Sequence, residues 1–267
     1  MTADHLDSLV IAGFCGLIGL FVGSFLNVVI HRVPVGESVV RPRSRCPRCG
    51  TQIRSFDNIP VVSWLILGGK CRDCALPISA RYPMVEAGTA VLFAAMGWWL
   101  GASWELPAFL YLAAIGVGLS LIDLDTRRLP NSIVLPSYLV AFALLAVPAA
   151  VDGRWPDLGR SIVGGLIAFG LYFILAMVYP AGMGFGDVKL AGVLGLYLGW
   201  VGWAALAVGV FAAFVIGAVV GIGLMAAHRG GRKTAIPFGP FMFLGALVGL
   251  WAGPAIMSWY GSLVGAV

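Results

Sequence analysis

Charge is what this sequence has least of. Asp, Glu, Lys and Arg make up 11% of its 267 residues, 17 basic and 12 acidic, where a soluble domain carries about 25%. A chain that is 60% hydrophobic with so few charges cannot cover a water-exposed surface, which excludes a soluble enzyme. A cleavable leader is missing as well. Asp4 and Asp7 precede the first apolar stretch where a basic segment would stand, and no small-residue cleavage site follows, so that stretch reads as a retained helix. There is no Gly-rich loop after a strand, hence no Rossmann fingerprint. Histidine is confined to His5, His31 and His228, which show no metal spacing and are given no catalytic role.

Apolar runs and glycine fill the space that charge leaves. The mean hydropathy is +0.96, and stretches of about 20 apolar residues suit a hydrocarbon layer of about 30 Å. Eight spans are predicted, near 8–31, 84–103, 107–122, 132–151, 161–180, 187–200, 203–227 and 237–262; the sixth is short, so seven is the alternative count. The expected fold is an all-α polytopic membrane protein, a bundle of about eight transmembrane helices. The 37 glycines fit such a bundle, because small residues let helix backbones approach in lipid. Trp and Tyr near the span ends, among them Trp98, Trp155, Trp200 and Tyr260, read as an aromatic belt.

Every Lys and Arg except Arg154 and Arg160 falls on one set of loops, chiefly 32–83, 123–131 and 228–236. Cytoplasmic loops are enriched in these residues, so that set, including the 32–83 loop, is expected in the cytoplasm. The net charge of +5 is then a topology signal, and no nucleic-acid partner is expected.

Within that loop, Cys46-Pro-Arg-Cys49 and Cys71-Arg-Asp-Cys74 stand 21 residues apart. Two C-x-x-C knuckles at this spacing are a tetrahedral zinc pattern, with redox chemistry or unliganded thiols as the alternatives. Lasting disulfides are rare in a reducing cytoplasm. Four protein ligands leave no open position, so the zinc is expected to be structural, stapling a loop too small to fold alone. Cys15, inside the first span, reads as a packing residue.

Acidic residues at the membrane edge are costly and therefore functional candidates. Asp123 and Asp125 close the third span, and Asp187 follows Gly182-Met183-Gly184-Phe185-Gly186 at the start of the sixth, on the same side. Paired carboxylates sharing a proton are the equipment of an aspartic protease. Two other readings stand beside it. Asp123 or Asp125 pairs with Arg127 or Arg128 while Asp187 is an N-cap, or the carboxylates line an ion or proton path.

Taken in order, these motifs resemble the type IV prepilin peptidases, which are leader peptidases and N-methyltransferases. Gly184-Phe185-Gly186-Asp187 matches the signature of GxGD intramembrane aspartyl proteases, and Asp123, ahead of Pro130-Asn131, matches their first catalytic position. The likeness extends to Gly23-Ser24-Phe25-Leu26-Asn27, both cysteine knuckles, Asn58-Ile59-Pro60, Arg81-Tyr82-Pro83-Met84-Val85-Glu86 and Pro237-Phe238-Gly239-Pro240. It implies catalysis by Asp123 and Asp187 rather than Asp125, with Gly184 and Gly186 in the active-site loop. It implies that Zn2+ is held by Cys46, Cys49, Cys71 and Cys74. The implied substrates are prepilin and pseudopilin precursors with a basic leader ending in Gly, cut at the cytoplasmic face of the bacterial inner membrane. Association with pilus or secretion machinery goes with that setting.

The same resemblance implies methylation of the new N-terminus from S-adenosylmethionine, with Glu86 as the candidate residue and an ion pair with Arg81 as its alternative role. Asn27 is read either as an interhelical hydrogen bond or as a substrate contact. The Pro237–Pro240 stretch is either an unwound segment or a plain helix start. The implied organisation is a first helix over 1–31, a zinc loop over 32–83 serving methyl transfer, and a protease core over 84–267.

Overall fold

Apolar backbone in lipid must satisfy its own hydrogen bonds, and helices do so within one segment. The computed structural model describes residues 3–180, 182–227 and 236–264; Arg229, Arg232, Lys233, His228 and the His5 side chain lie outside the described residues. Among these residues the helices are α1 (Ala3–Arg32), α2 (Val62–Ile66), α3 (Arg81–Leu100), α4 (Leu106–Thr126), α5 (Asn131–Val151), α6 (Trp155–Val178), α7 (Phe185–Val201), α8 (Trp203–Ala226) and α9 (Gly239–Leu263). No strand occurs among the described residues beyond two isolated antiparallel bridges, Arg45 with Gln52 and Lys70 with Pro77.

All of the helices except α2 correspond in order to the eight expected spans. The short sixth span is a helix of its own, α7. Among the described residues six helices are long and apolar enough to cross a membrane, α3 and α7 falling outside that set. The chain is a multi-pass helical membrane protein. Side chains such as Leu139, Leu166 and Phe211, 73%, 67% and 69% exposed, suit a lipid-facing surface. The third span runs on to Thr126 instead of ending near 122, so Asp123 and Asp125 lie in the last turn of α4. That turn is closed locally. Thr126 Oγ1 donates to the Ile122 carbonyl, and Arg127, at φ 53°, donates its N–H to the Asp123 carbonyl at 2.8 Å.

The chain divides into two compact units, Met1–Gly118 and Leu119–Val267, the division falling inside α4. In the first, α1 packs along α3 through glycines. A Cβ on Gly19 would lie 2.7 Å from Ala90 Cα, and one on Gly23 2.7 Å from Glu86 Cα. Asn27 Nδ2 donates to the Tyr82 carbonyl at 3.1 Å, the interhelical bond anticipated for it. Cys15, 2% exposed, packs with Phe93 and Ala113, as a core residue. Here α3 belongs with α1.

In the second unit α7 is the hub, packed against α5, α6, α8 and α9 and buried along most of its length. Small residues bring α6 against α7 and α9 against α8: a Cβ on Gly164 would lie 2.8 Å from the Gly195 carbonyl oxygen, and one on Gly249 2.4 Å from that of Ala205. Gly249→Ala therefore forces α8 and α9 apart. A loss of about 1–3 kcal/mol is expected, read as a lower midpoint in detergent unfolding. The far end of α7 is capped from α6. Arg160 donates from Nε and Nη2 to the carbonyls of Gly199 and Trp200, and Ser161 Oγ donates to that of Leu196. Arg160 also pairs with Asp157 at 2.9 Å. This residue, read from sequence only as a charge on the less basic side, satisfies carbonyls that a helix C-terminus leaves open.

Candidate active site and metal centre

Both aspartates singled out from the sequence lie in the second unit, and both are buried, Asp123 4% and Asp187 9% exposed. Asp125, two residues along α4, is exposed. The distinction follows from the 100° turn per residue, which carries side chains two apart to different faces.

Each buried carboxylate is held by the N–H of a glycine. Gly184 precedes the first residue of α7, and its N–H donates to Asp187 Oδ2 at 3.0 Å; Asp187 N–H returns the bond to the Gly184 carbonyl at 3.0 Å. Asp187 is thus the third residue of the helix, not its N-cap, and sits where the helix dipole favours negative charge. Gly239 opens α9, and its N–H, which no residue within the helix can accept, donates to Asp123 Oδ2 at 2.9 Å. The Pro237–Pro240 stretch is accordingly a plain helix start with Pro240 in its first turn, and its freed N–H goes to the site.

The two carboxylates are close enough to interact electrostatically, and neither forms an ion pair among the described residues. Lys189, the nearest cation along α7, bonds Asn131 Oδ1 at 2.9 Å and lies over the Phe185 ring. Tyr138 of α5 donates to the Lys189 carbonyl, fastening the start of α7. Glycine is required for steric reasons at two of these positions. A Cβ on Gly239 would lie 2.9 Å from Asp123 Oδ2, and one on Gly186 3.0 Å from Leu129 Cβ. Sequence reasoning missed Tyr172 of α6, which is within electrostatic reach of Asp187 and whose ring packs against Phe214 and Phe238 at 5.3 and 6.3 Å. No local pattern marks it.

In the first unit the four knuckle cysteines converge. Their sulfur atoms all lie within 4.8 Å of one another, and Cys46 Sγ is 3.9 Å from Cys74 Sγ. Tetrahedral zinc with Zn–S bonds of about 2.3 Å places its sulfurs about 3.8 Å apart, so the cluster fits. The knuckles are built alike. Gly50 N–H bonds the Cys46 carbonyl and Cys46 N–H the Thr51 carbonyl; Ala75 and Cys71, with Leu76, repeat the pattern. Each knuckle needs left-handed backbone after its second cysteine, at Gly50 (φ 69°) and Ala75 (φ 55°). Ala75→Gly should therefore tighten zinc binding by about 1 kcal/mol, measured by chelator competition. Donors favour the thiolate at two of the four. Thr51 pulls the Cys49 thiol down to about 6, and the N–H groups of Cys74 and Asp73 lower Cys71, whereas Cys74, despite the Leu76 N–H, is pushed up to about 11 by burial and its neighbouring thiols.

Beside the cluster, Arg72 grips Asp57 through Nε and Nη2, at 2.6 Å for the shorter contact, and this bond holds Asp57 below the usual carboxylate range. Arg54 pairs with Asp73 at 3.1 Å. Glu86 is not paired with Arg81. Its Oε2 accepts the N–H of Val61 at 2.7 Å.

Residues 17–100 match the bacterial Peptidase A24 N-terminal domain and residues 110–222 the type IV leader peptidase family. A prepilin leader peptidase/N-methyltransferase of Stutzerimonas stutzeri is 37% identical over 92% of this chain and 92% of its own length. One from Aeromonas hydrophila is 36% identical over 91% of each. One from Myxococcus xanthus is 44% identical over 84% of this chain and 66% of its own. No solved structure matches the chain. Identity at this level along nearly the whole length of both chains establishes that the chain belongs to the type IV leader peptidase family.

Proposed function

We propose that this protein removes the leader from prepilins and pseudopilins with Asp123 and Asp187 and then methylates the new N-terminal amine. One observation carries the hydrolytic half: two buried carboxylates within electrostatic reach, each fixed by a glycine N–H and neither offset by a cation. Such a pair shares one proton, because like charges at close range do not both ionise. The ionised member takes a proton from water, whose oxygen bonds to the scissile carbonyl carbon. The protonated member hydrogen-bonds the carbonyl oxygen, and the C–N bond breaks as its nitrogen receives a proton. Gly184, where a Cβ would stand 3.4 Å from Asp187 Oδ2, leaves room for a substrate strand beside that carboxylate, while Gly186 gives its space to Leu129 and so fixes the active-site loop.

The excess of basic residues supports a cytoplasmic position for the knuckle loop and both aspartates at the bacterial inner membrane. This agrees with a leader that has not been translocated, and with a place among pilus or type II secretion components. Cys46, Cys49, Cys71 and Cys74 would hold Zn2+, which would staple the 32–83 loop and, with four protein ligands, would have no open position for a reaction step. The methyl group comes from S-adenosylmethionine. The amine nitrogen forms the new N–C bond, the C–S pair returns to sulfur, and the ammonium proton leaves to solvent. Glu86 and the loop serve this half, and the residues from α4 onward serve hydrolysis. The ion-path alternative drawn from the same carboxylates finds no support in relatives named as peptidases.

Incubating the purified protein in detergent with a prepilin and methyl-labelled S-adenosylmethionine tests both halves. A shortened, labelled product is expected. An intact precursor contradicts the peptidase, and a shortened unlabelled one contradicts the methyltransferase. Gly239→Ala, which crowds Asp123, should slow cleavage at least about tenfold by displacing a carboxylate that must be positioned closely.

A further inference from the structure

The first unit contains a cavity of about 220 Å³ that the hydrolytic site does not use. Its walls come from the inner end of α1, the knuckle loop and the start of α3, and include Asn27, Asp57, Trp64, Tyr82 and Glu86. All the lining residues fall inside the 17–100 segment that matches the N-terminal domain, apart from the segment that carries both aspartates.

Its carboxylates are not equivalent. Asp57 and Asp73 are taken up by Arg72 and Arg54. Glu86, 8% exposed, has only the Val61 N–H on Oε2 and no cationic partner among the described residues. A carboxylate removed from water with one hydrogen bond and no counter-charge is costly to keep, and a cationic ligand in the cavity offsets that cost. The fold also holds this residue under strain. Val61 is a β-branched residue at φ 60°, ψ −50°, the centre of a tight three-residue turn closed by Val62 N–H on the Pro60 carbonyl at 2.6 Å. That conformation is rare and unfavourable, and strain of this kind collects at ligand sites. Its effect is to aim the Val61 N–H at Glu86.

Opposite charge is one requirement of a sulfonium donor, and a flat apolar wall for its adenine is another. Trp64 supplies the wall in a fixed orientation. Its Nε1 donates to the Ile78 carbonyl at 3.1 Å, and Gly69 lies against the ring, where a Cβ would come within 2.9 Å. An indole face also attracts a cation.

Resting on the methyltransferase reading above, we infer that this cavity is the S-adenosylmethionine site, with Glu86 set against the cationic end of the donor and Trp64 forming the wall for its adenine. The zinc centre then has a definite use, because Cys46 and Cys71 belong to the same wall and the metal holds that wall in place.

Isothermal titration of the purified, zinc-loaded protein in detergent with S-adenosylmethionine tests the assignment without relying on turnover. Glu86→Gln keeps an acceptor for the Val61 N–H and removes the charge. It should weaken binding about ten- to hundredfold, and Trp64→Leu should weaken it as well, while a full zinc complement shows that the loop of each variant still folds. Asp123→Asn should bind the donor like wild type. If wild type binds and methylates but Glu86→Gln and Trp64→Leu bind equally well, the cavity assignment is wrong and the methyltransferase reading stands. If wild type neither binds the donor nor transfers methyl groups, both fall together. Variants that lose zinc as well as donor binding are replaced by labelling: irradiation of wild type with the radioactive donor should mark peptides from residues 24–86, which line the cavity, and label confined to other peptides overturns the proposal.

Discussion

Asp187→Asn should lower kcat/KM for leader cleavage by about 10³-fold or more, and Asp123→Asn should do the same. Either change replaces a group that must give or take a proton with one that does neither, while keeping its shape and the acceptor for its glycine N–H. Loss of activity would then mark chemistry and not folding. Asp125→Asn is the internal control. It stands two residues from Asp123 on the same turn but is exposed, and a surface change of this kind should alter the rate by no more than about twofold. Equal losses at 123 and 125 would contradict the geometry, since only Asp123 has its carboxylate fixed by the start of α9. The double variant should be no slower than either single one, because the two carboxylates act as one unit.

Replacing Cys46, Cys49, Cys71 and Cys74 together with Ser should abolish methyl transfer and unfold the loop between α1 and α3. Structural zinc contributes folding free energy directly, of the order of 10 kcal/mol in small zinc modules, and this loop has little else to hold it. Its regular structure is one five-residue helix, two 3-10 turns and two isolated bridges. Metal analysis of wild type should find about one zinc per chain. Hydrogen exchange should show protected amides within residues 44–78 that lose protection in the variant. Wild type without zinc, or a variant whose loop stays protected, would contradict the staple.

The parts of this account legible in the sequence are those encoded locally. Each apolar run long enough to span lipid has one way to satisfy its backbone, so the helices could be placed within a few residues. Two C-x-x-C turns carry their own geometry, and so the cysteine cluster was foreseen. Glycine abundance announced close helix packing, though not which pairs touch. What could not be read were pairings made by the fold between distant residues. Gly239 meets Asp123 across 116 positions and Val61 meets Glu86 across 25, and neither has a sequence period. The N-cap alternative for Asp187 rests on Asp being common there, but Gly184 takes the cap and leaves Asp187 at the third position. The Arg81 pairing offered as the alternative for Glu86 rests on nearness in sequence, but the helix turns Glu86 inward toward Gly23 and the cavity.

The central claim is that Asp123 and Asp187 form one proteolytic centre. Its most direct measurement is the mass of a purified prepilin after incubation in detergent, side by side, with wild type and with Asp187→Asn. The account predicts that wild type yields a product beginning immediately after the leader's final Gly, and that the variant leaves the precursor at full mass. An intact precursor with wild type, or the same product with Asp187→Asn, would contradict it.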